Sequence, residues 1–378
     1  MAQVLREFTP MEELLPSIEA VIKVFDTLGN RKNRNKARMK FVIEKLGFDE
    51  FKRRWEAAYE SMGYAKLSHE PIKLLTHADE PTPLIMPTRN GSGYSSSNGN
   101  GTGHKIGQET PFEMWKRTNV VKQKQPGYVT AAIKLFMGDL TCEQMLCVAD
   151  LAERYANGNI RTTINQNMVI RWIPESQIES LYRELSAHGL SDPGAELVED
   201  IIACPGTDTC GLGITSSKGL ARALAEVFPA GRVPEDLSDV SVKISGCHNS
   251  CAQHHISTIG LHGVGKRLGE HVAPHYELHL GGQVDGTPKI GQMTVKLPAK
   301  AVPAALSHLV EVYRRDRSPK ESLGAFITRV GKNKLKDELI PYTIVPAYQD
   351  DPTFYYDWEG ESEFILEDLG PEIGRAHV

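Results

Sequence analysis

Two pairs of cysteines constrain this chain more than any other feature. Cys204 and Cys210 stand in A-C-P-G-T-D-T-C-G, and Cys247 and Cys251 in S-G-C-H-N-S-C-A-Q. The pattern is C-x5-C, an intervening stretch, then C-x3-C. Each pair lies among Gly, Ser and Thr, which turn the backbone tightly and leave N–H groups able to point at sulfur. Two short loops of this kind can converge on one centre, and thiolates select zinc, copper(I) or iron–sulfur clusters. Structural zinc sites carry tighter knuckles, with roughly two to four residues between cysteines. A C-x5-C pair fits a single tetrahedral ion awkwardly and a larger cubane more easily. The spacing favours an iron–sulfur cluster, with zinc and a disulfide as the remaining readings.

Composition narrows the field. A chain of 378 residues allows two or three domains with a sizeable core. Its apolar share of 40% and charged share of 24% are ordinary for a soluble globular protein. A net charge of −5 gives no reason to expect nucleic acid as a partner. No apolar run is long enough to span a bilayer, so no membrane is expected, and M-A-Q-V-L-R-E-F-T-P lacks the apolar stretch of a secretory signal. A reducing, cytoplasmic compartment is the expectation, and it suits thiolate–metal chemistry better than a disulfide framework.

The pattern along the chain is α+β. Residues 1–70 read as helical, with Ile18, Val21, Ile22, Phe25 and Leu28 on one stripe, a start at Pro16-Ser17 and a stop at Gly29. Residues 80–108 read as a flexible Gly/Ser/Asn linker with nothing to bury. Tyr128–Phe136, 160–164 and 168–173 are strand-like. A helix begins at the capping box Thr141-x-x-Gln144, and another spans 177–188 with Ile178, Leu181 and Leu185 on one face. This strand–helix–strand–helix order suggests a ferredoxin-like small repeat over 109–195. From 196 to 345, Thr215-Ser216-Ser217 can cap a helix carrying Leu220 and Leu224. Val240, Val242 and Ile244 alternate as a strand leading to Gly246-Cys247, and 276–280 and 293–297 alternate as well. Residues 346–378 form an acidic, aromatic tail with no site assigned to it.

With the cysteines and two further patches, L-G-N-R-K-N-R-N-K-A-R-M-K-F at 28–41 and I-R-T-T-I-N-Q-N at 160–167, the chain resembles the siroheme-dependent sulfite and nitrite reductases over most of its length. The resemblance implies that Cys204, Cys210, Cys247 and Cys251 ligate a [4Fe–4S] cluster. It also implies that Cys251 is the axial thiolate shared with siroheme iron. The fold it implies is a ferredoxin-like small repeat plus an α/β cluster-binding domain, preceded by residues 1–79 as a helical remnant of a first siroheme-binding domain. The family is a pseudo-duplication, and this chain resembles its later portion. The part without a counterpart supplies the basic side chains that bind the anionic substrate, so no catalytic residue is assigned.

Siroheme carries carboxylates, which Arg and Lys can meet directly. The basic run 31–40 otherwise reads as a solvated helix face or a nucleic-acid patch. Given the resemblance, Asn33, Arg34, Arg38 and Lys40 are candidate siroheme contacts, with Arg34 and Arg38 one helical turn apart. Arg161, Thr163, Gln166 and Asn167 match a polar motif of the family. They are either cofactor contacts or a hairpin turn at Asn165-Gln166-Asn167. Asn249 is a further candidate for a hydrogen bond to the cofactor region. Gly206, Thr207, Asp208 and Thr209 are expected to shape the cluster loop and donate to sulfur. Cys142 and Cys147, five apart on a helix, share no face and read as small hydrophobes. His248, His254 and His255 read as structural histidines, or as outer donors or a proton source.

The function implied is six-electron reduction of sulfite to sulfide or of nitrite to ammonia. Electrons would come from a protein donor, a ferredoxin or a flavoprotein subunit, since no nicotinamide or flavin fingerprint is evident. A partner chain supplying the N-terminal half is one explanation of the partial match. Two readings from other classes remain: a non-catalytic iron–sulfur electron-transfer or assembly subunit, and a structural zinc protein.

Overall fold

The computed structural model describes residues 3–30, 38–62, 109–156, 158–229, 235–284 and 286–366. The chain divides into two units, one reaching Thr82 and the other running from Pro83 to Arg375. The expected linker at 80–108 lies outside the described residues.

The N-terminal unit contains α1 (Met11–Leu28), α2 (Met39–Leu46) and α3 (Phe48–Ser61). Its small core joins Ala20, Val24, Val42, Phe51 and Trp55. Helix α1 does stop at Gly29, but it starts at Met11 behind Pro10 and carries Pro16 inside it. Of the expected stripe, Val21, Phe25 and Leu28 do pack against this core, but the most buried face is shifted from it. Ile18 and Ile22 are exposed, while Ser17, Ala20 and Val24 are buried. The cause is Trp55 on α3, whose indole N–H donates to the Ser17 carbonyl at 3.0 Å and draws that face inward.

The larger unit holds two sheets. In the first, α4 (Pro111–Asn119) leads into β1 (Val120–Lys122) and β2 (Tyr128–Ile133). These are followed by α5 (Cys142–Ala156), β3 (Ile160–Thr162), β4 (Met168–Pro174) and α6 (Ile178–Ala187). The antiparallel order is β1-β2-β4-β3. The capping box of α5 is formed: the Thr141 N–H donates to Gln144 Oε1 at 3.0 Å, and the Gln144 N–H to Thr141 Oγ1 at 3.1 Å. Alternation along β2 turns Val129, Ala131 and Ile133 into the core, where Ile178, Leu181 and Leu185 meet them. Trp115 is fully buried there, 5.2 Å from the Tyr182 ring.

The second sheet runs β5 (Ile202–Ala203), β6 (Val242–Ser245), β7 (Ile259–Leu268), β8 (His271–Leu280) and β9 (Gln292–Pro298) in that spatial order. Strands β5, β6 and β7 are parallel, and β8 and β9 antiparallel. Helix α7 (Ser217–Ala225) and helices α8 (Val302–Asp316), α9 (Leu323–Val330) and α10 (Lys332–Leu339) complete the unit. Its large core joins Leu220, Leu224, Val242, Ile244, Leu261, Leu278 and Leu306. The other face of β6 is buried too, so Lys243 and Ser245 are enclosed. Parallel strands are commonly covered on both faces.

Trp115→Ala should cost about 3–5 kcal/mol, as expected for removing a large buried aromatic. A urea titration followed by circular dichroism should show the loss in the larger unit.

Candidate metal centre

The sheet brings the two cysteine loops together. Strand β5 ends at Ala203, directly before Cys204, and β6 ends at Ser245, directly before Gly246-Cys247. The strands are parallel neighbours with Ala203 opposite Ile244, so both chains leave the same edge side by side. Ligands commonly bind where parallel strands end. The Cys204 N–H extends the ladder by donating to the Ile244 carbonyl at 3.1 Å.

Glycines let the loops touch backbone to backbone. A Cβ on Gly246 would stand 2.7 Å from Gly206 Cα and 2.7 Å from the Thr215 carbonyl. On Gly263 it would stand 1.8 Å from Thr215 Oγ1. Gly206 also takes φ +57°, which disfavours a side chain. The Ile214 and Thr215 N–H groups both donate to the Gly246 carbonyl, at 2.9 and 3.0 Å.

Within this knot all four sequence-predicted cysteines are free thiols, with Cys247 buried, Cys204 and Cys210 half-buried and Cys251 exposed. Burial pushes the Cys247 thiol up. The Asn249 N–H opposes that shift, and the sulfurs of Cys204, Cys251 and Cys210 add to it. All three are therefore within electrostatic reach of Cys247. The Gly246 N–H donates to Cys204 Sγ at 3.1 Å, and the Ser217 hydroxyl lies 3.4 Å from the same sulfur. Hydrogen bonds of this kind stabilise thiolate and tune a cluster's potential. The Gly246 N–H supplies one here, whereas 206–209 was expected to, and the Ser217 hydroxyl donates instead to the Cys204 carbonyl at 2.6 Å. Ser217 lay hidden in sequence within a helix-capping run.

The donor set fits an iron–sulfur cluster. A single tetrahedral zinc holds its sulfurs about 3.8 Å apart, from bonds of about 2.3 Å. Among the described residues, two groups of three ligand atoms lie within 4.8 Å of one another, one of three histidines and one of two histidines with a glutamate, and neither includes a cysteine.

The polar motif at 160–167 supports the first loop. The Gln166 amide pairs with Ala203 in both directions, its Nε2 donating to the carbonyl at 2.9 Å and its Oε1 accepting from the N–H at 3.1 Å. Asn167 accepts from the Leu135 N–H at 2.9 Å and donates to Asp200 Oδ2 at 2.6 Å. Both amides are thus occupied in fixing the strand that delivers Cys204. The hairpin turn is real, with the Thr163 N–H donating to the Asn167 carbonyl at 2.8 Å.

Other expected residues are placed less tightly. Arg161 lies exposed on edge strand β3, and Asn249 is exposed between the cysteines. Arg38 and Lys40 are exposed in the N-terminal unit. Arg38 is extended and precedes α2, so the helical pairing with Arg34 does not hold for it. Asn33 and Arg34 lie outside the described residues. Cys142 is exposed and Cys147 half-buried on α5, in the other sheet's layer.

The C-terminal tail also reaches the site. Asp357, buried, accepts from the Ser216 N–H at 2.7 Å and the Trp358 N–H at 2.8 Å. Burial raises its carboxyl pKa, with those N–H groups and Lys300 pulling it back. Trp358 Cβ lies so close to Gly219 that a Cβ there would meet it at 2.7 Å. The tail thereby closes the start of α7, behind the first cysteine loop. Nothing local to Asp357 signals this in sequence.

A family described as the nitrite and sulphite reductase 4Fe-4S domain matches residues 1–61 and 194–344. The nitrite/sulfite reductase ferredoxin-like half domain matches 121–188. A sulfite reductase (NADPH) hemoprotein beta-component of Methylobacterium nodulans is 28% identical over 331 residues, 86% of this chain and 47% of its own length. An assimilatory ferredoxin-dependent nitrite reductase of Haloferax mediterranei is 24% identical over 92% of this chain and 55% of its own length. The chain thus spans about half the length of the curated relatives it matches. The structure of the Mycobacterium tuberculosis NirA protein superposes with a TM-score of 0.61 at 24% identity, covering 88% of this chain and 55% of that one, and so shares its fold.

Gly246→Ala should force the two loops apart and lower the iron and acid-labile sulfide bound per chain. Gln166→Ala, which strips both partners from Ala203, should cost about 1–3 kcal/mol and reduce cluster occupancy less severely. Iron and sulfide assays beside a denaturant titration read both effects.

Proposed function

Because the chain belongs to the nitrite and sulphite reductase family, we propose that it is the cluster-bearing part of an oxidoreductase that reduces sulfite to sulfide or nitrite to ammonia by six electrons. The observation that carries this reading is the convergence of four free cysteines from two adjacent parallel strands, with Cys251 alone exposed. Cys204, Cys210, Cys247 and Cys251 would hold a [4Fe–4S] cluster. Cys251, facing outward, is the thiolate to share with siroheme iron. Siroheme and cluster together would supply the multi-electron chemistry, while the protein supplies placement, charge and hydrogen bonds.

This chain's own residues do the placing. Gly246 and Ser217 hydrogen-bond Cys204, and the Asn249 N–H serves Cys247. Arg38 and Lys40, with Asn33 and Arg34, remain the proposed partners of siroheme carboxylates, and Arg161 is a proposed further contact. Asn249 is proposed to hydrogen-bond in the cofactor region. Gln166 and Asn167 act on the cofactor through the strand they hold. Residues 1–79 are read as the remnant of a first siroheme-binding domain, a reading supported by the family match at 1–61. Residues 109–195 and 196–345 are read as the small repeat and the cluster domain, with 346–378 as the tail. A ferredoxin or flavoprotein subunit is the proposed electron donor, and a partner chain the proposed source of the substrate-binding half. The proposed compartment is the cytoplasm. Among the described residues no helix is long and apolar enough to cross a membrane.

The test is the ultraviolet–visible spectrum of chain purified anaerobically from a host that makes siroheme. Isobacteriochlorin bands beside cluster absorbance are expected, and Cys251→Ser should lose them or uncouple the two. A cluster spectrum without siroheme bands would favour an electron-transfer role, and a colourless zinc protein would overturn the redox reading.

A further inference from the structure

We propose that His254, His255 and His279 form a second metal site, separate from the four cysteines: a three-imidazole seat for one divalent cation of the zinc class, with a fourth coordination position left open. Gly260 and His279 are opposite one another on β7 and β8, with His262 and Glu277 the next pair along the same face. A short turn, His254–Ile256, lies down on this face. Gly260 makes that possible, since a Cβ there would stand 1.9 Å from the His254 carbonyl. The Gly291 N–H ties the turn down by donating to the His255 carbonyl at 2.7 Å.

The rings gather as a result. The His254 ring lies 4.0 Å from that of His255 and 5.2 Å from that of His279, centroid to centroid. One ligand atom from each of the three can be chosen so that all lie within 4.8 Å of one another. Three nitrogens on one zinc stand about 3.4 Å apart, from bonds of about 2.1 Å. The rings therefore need close by little more than an ångström.

The hydrogen bonds show which nitrogens are available. His254 Nδ1 is held by Ser245 Oγ at 2.9 Å, and His255 Nδ1 by Ser250 Oγ at 3.1 Å. His279 Nε2 is held by His262 Nδ1 at 3.1 Å. Each ring is thus anchored through one nitrogen, as metal-ligating histidines usually are. Of the opposite nitrogens, His254 Nε2 and His279 Nδ1 are buried without a hydrogen-bond partner. The Gly291 carbonyl faces the His279 ring but closes no hydrogen bond to Nδ1. An unpaired buried imidazole nitrogen is costly, and a cation would satisfy both at once. Burial keeps the rings neutral, the form that binds metal. It lowers His254 to about 2, with the neighbouring imidazoles adding to the effect, and lowers His255 and His279 as well.

A second grouping, His262, Glu277 and His279, shares the same face. Glu277 is already engaged by Lys296 at 2.8 Å, and His262 serves His279. These residues are support for the seat. Imidazole suits zinc, copper, nickel and iron alike, and zinc is the probe of choice because it has no redox chemistry to confuse with the cluster.

The full chain, purified anaerobically, is given a small excess of zinc chloride and desalted. About one zinc per chain should remain, with K-edge absorption showing nitrogen or oxygen neighbours at about 2.0–2.1 Å. His254→Gln and His279→Ala should lose that zinc while keeping iron and acid-labile sulfide. His262→Ala, which removes only support, should weaken zinc binding about 10- to 100-fold. No retained zinc, sulfur neighbours at about 2.3 Å, or equal retention by the two ligand variants would overturn the proposal. The absorption spectrum is read on the unaltered chain, so it decides even where a variant fails to fold.

Discussion

The metal centre depends on backbone meeting backbone around Thr215. Gly206, Gly246 and Gly263 surround that residue at distances no Cβ could share. The contact lets the Gly246 carbonyl accept two N–H groups from the other loop, and it brings the Gly246 N–H onto Cys204. Hydrogen bonds between rigid main chains place sulfur more accurately than flexible side chains would, and a metal cluster needs that accuracy. The surrounding parallel strands, the α7 cap and the buried Tyr276, whose hydroxyl donates to the Ser216 carbonyl at 2.9 Å, all hold this one knot in place.

Support comes from both flanking segments of the larger unit. On one side the hairpin at 163–167 grips Ala203 and Asp200. On the other, Asp357 caps Ser216. Lys243 links the two sheets as well, reaching Asn165 Oδ1 and Gln253 Oε1 at 3.2 Å each. The ferredoxin-like layer and the cysteine layer are therefore one mechanical piece, joined by buried polar contacts. A buried polar network of this kind holds few alternative geometries.

Local signals were legible in sequence. The Thr141–Gln144 capping box, the stop at Gly29 and the apolar face of 178–185 each concern residues a few positions apart, and each is found in the structure. What was not legible came from distant partners. Trp55 rotated the face of α1 by reaching Ser17. Gln166 and Asn167 read as candidate ligand groups because their type and motif suggested it, and only the neighbouring strand shows what they hold. His279 was overlooked because its partners, His254 and His262, lie on other elements: strand pairing brings His262 near, and the close approach of the 254–256 turn to Gly260 brings His254.

The Asp357 contact has a bearing on when the protein matures. Ser216 and Asp357 are 141 residues apart in sequence, and between them the chain must lay down four strands of the second sheet. During synthesis the first cysteine loop is made well before Asp357, the residue that supports the Ser216 cap of α7. Long-range closures of this kind form late in folding. The thiols of Cys204 and Cys210 are therefore made before the contact that buttresses the start of α7 can form.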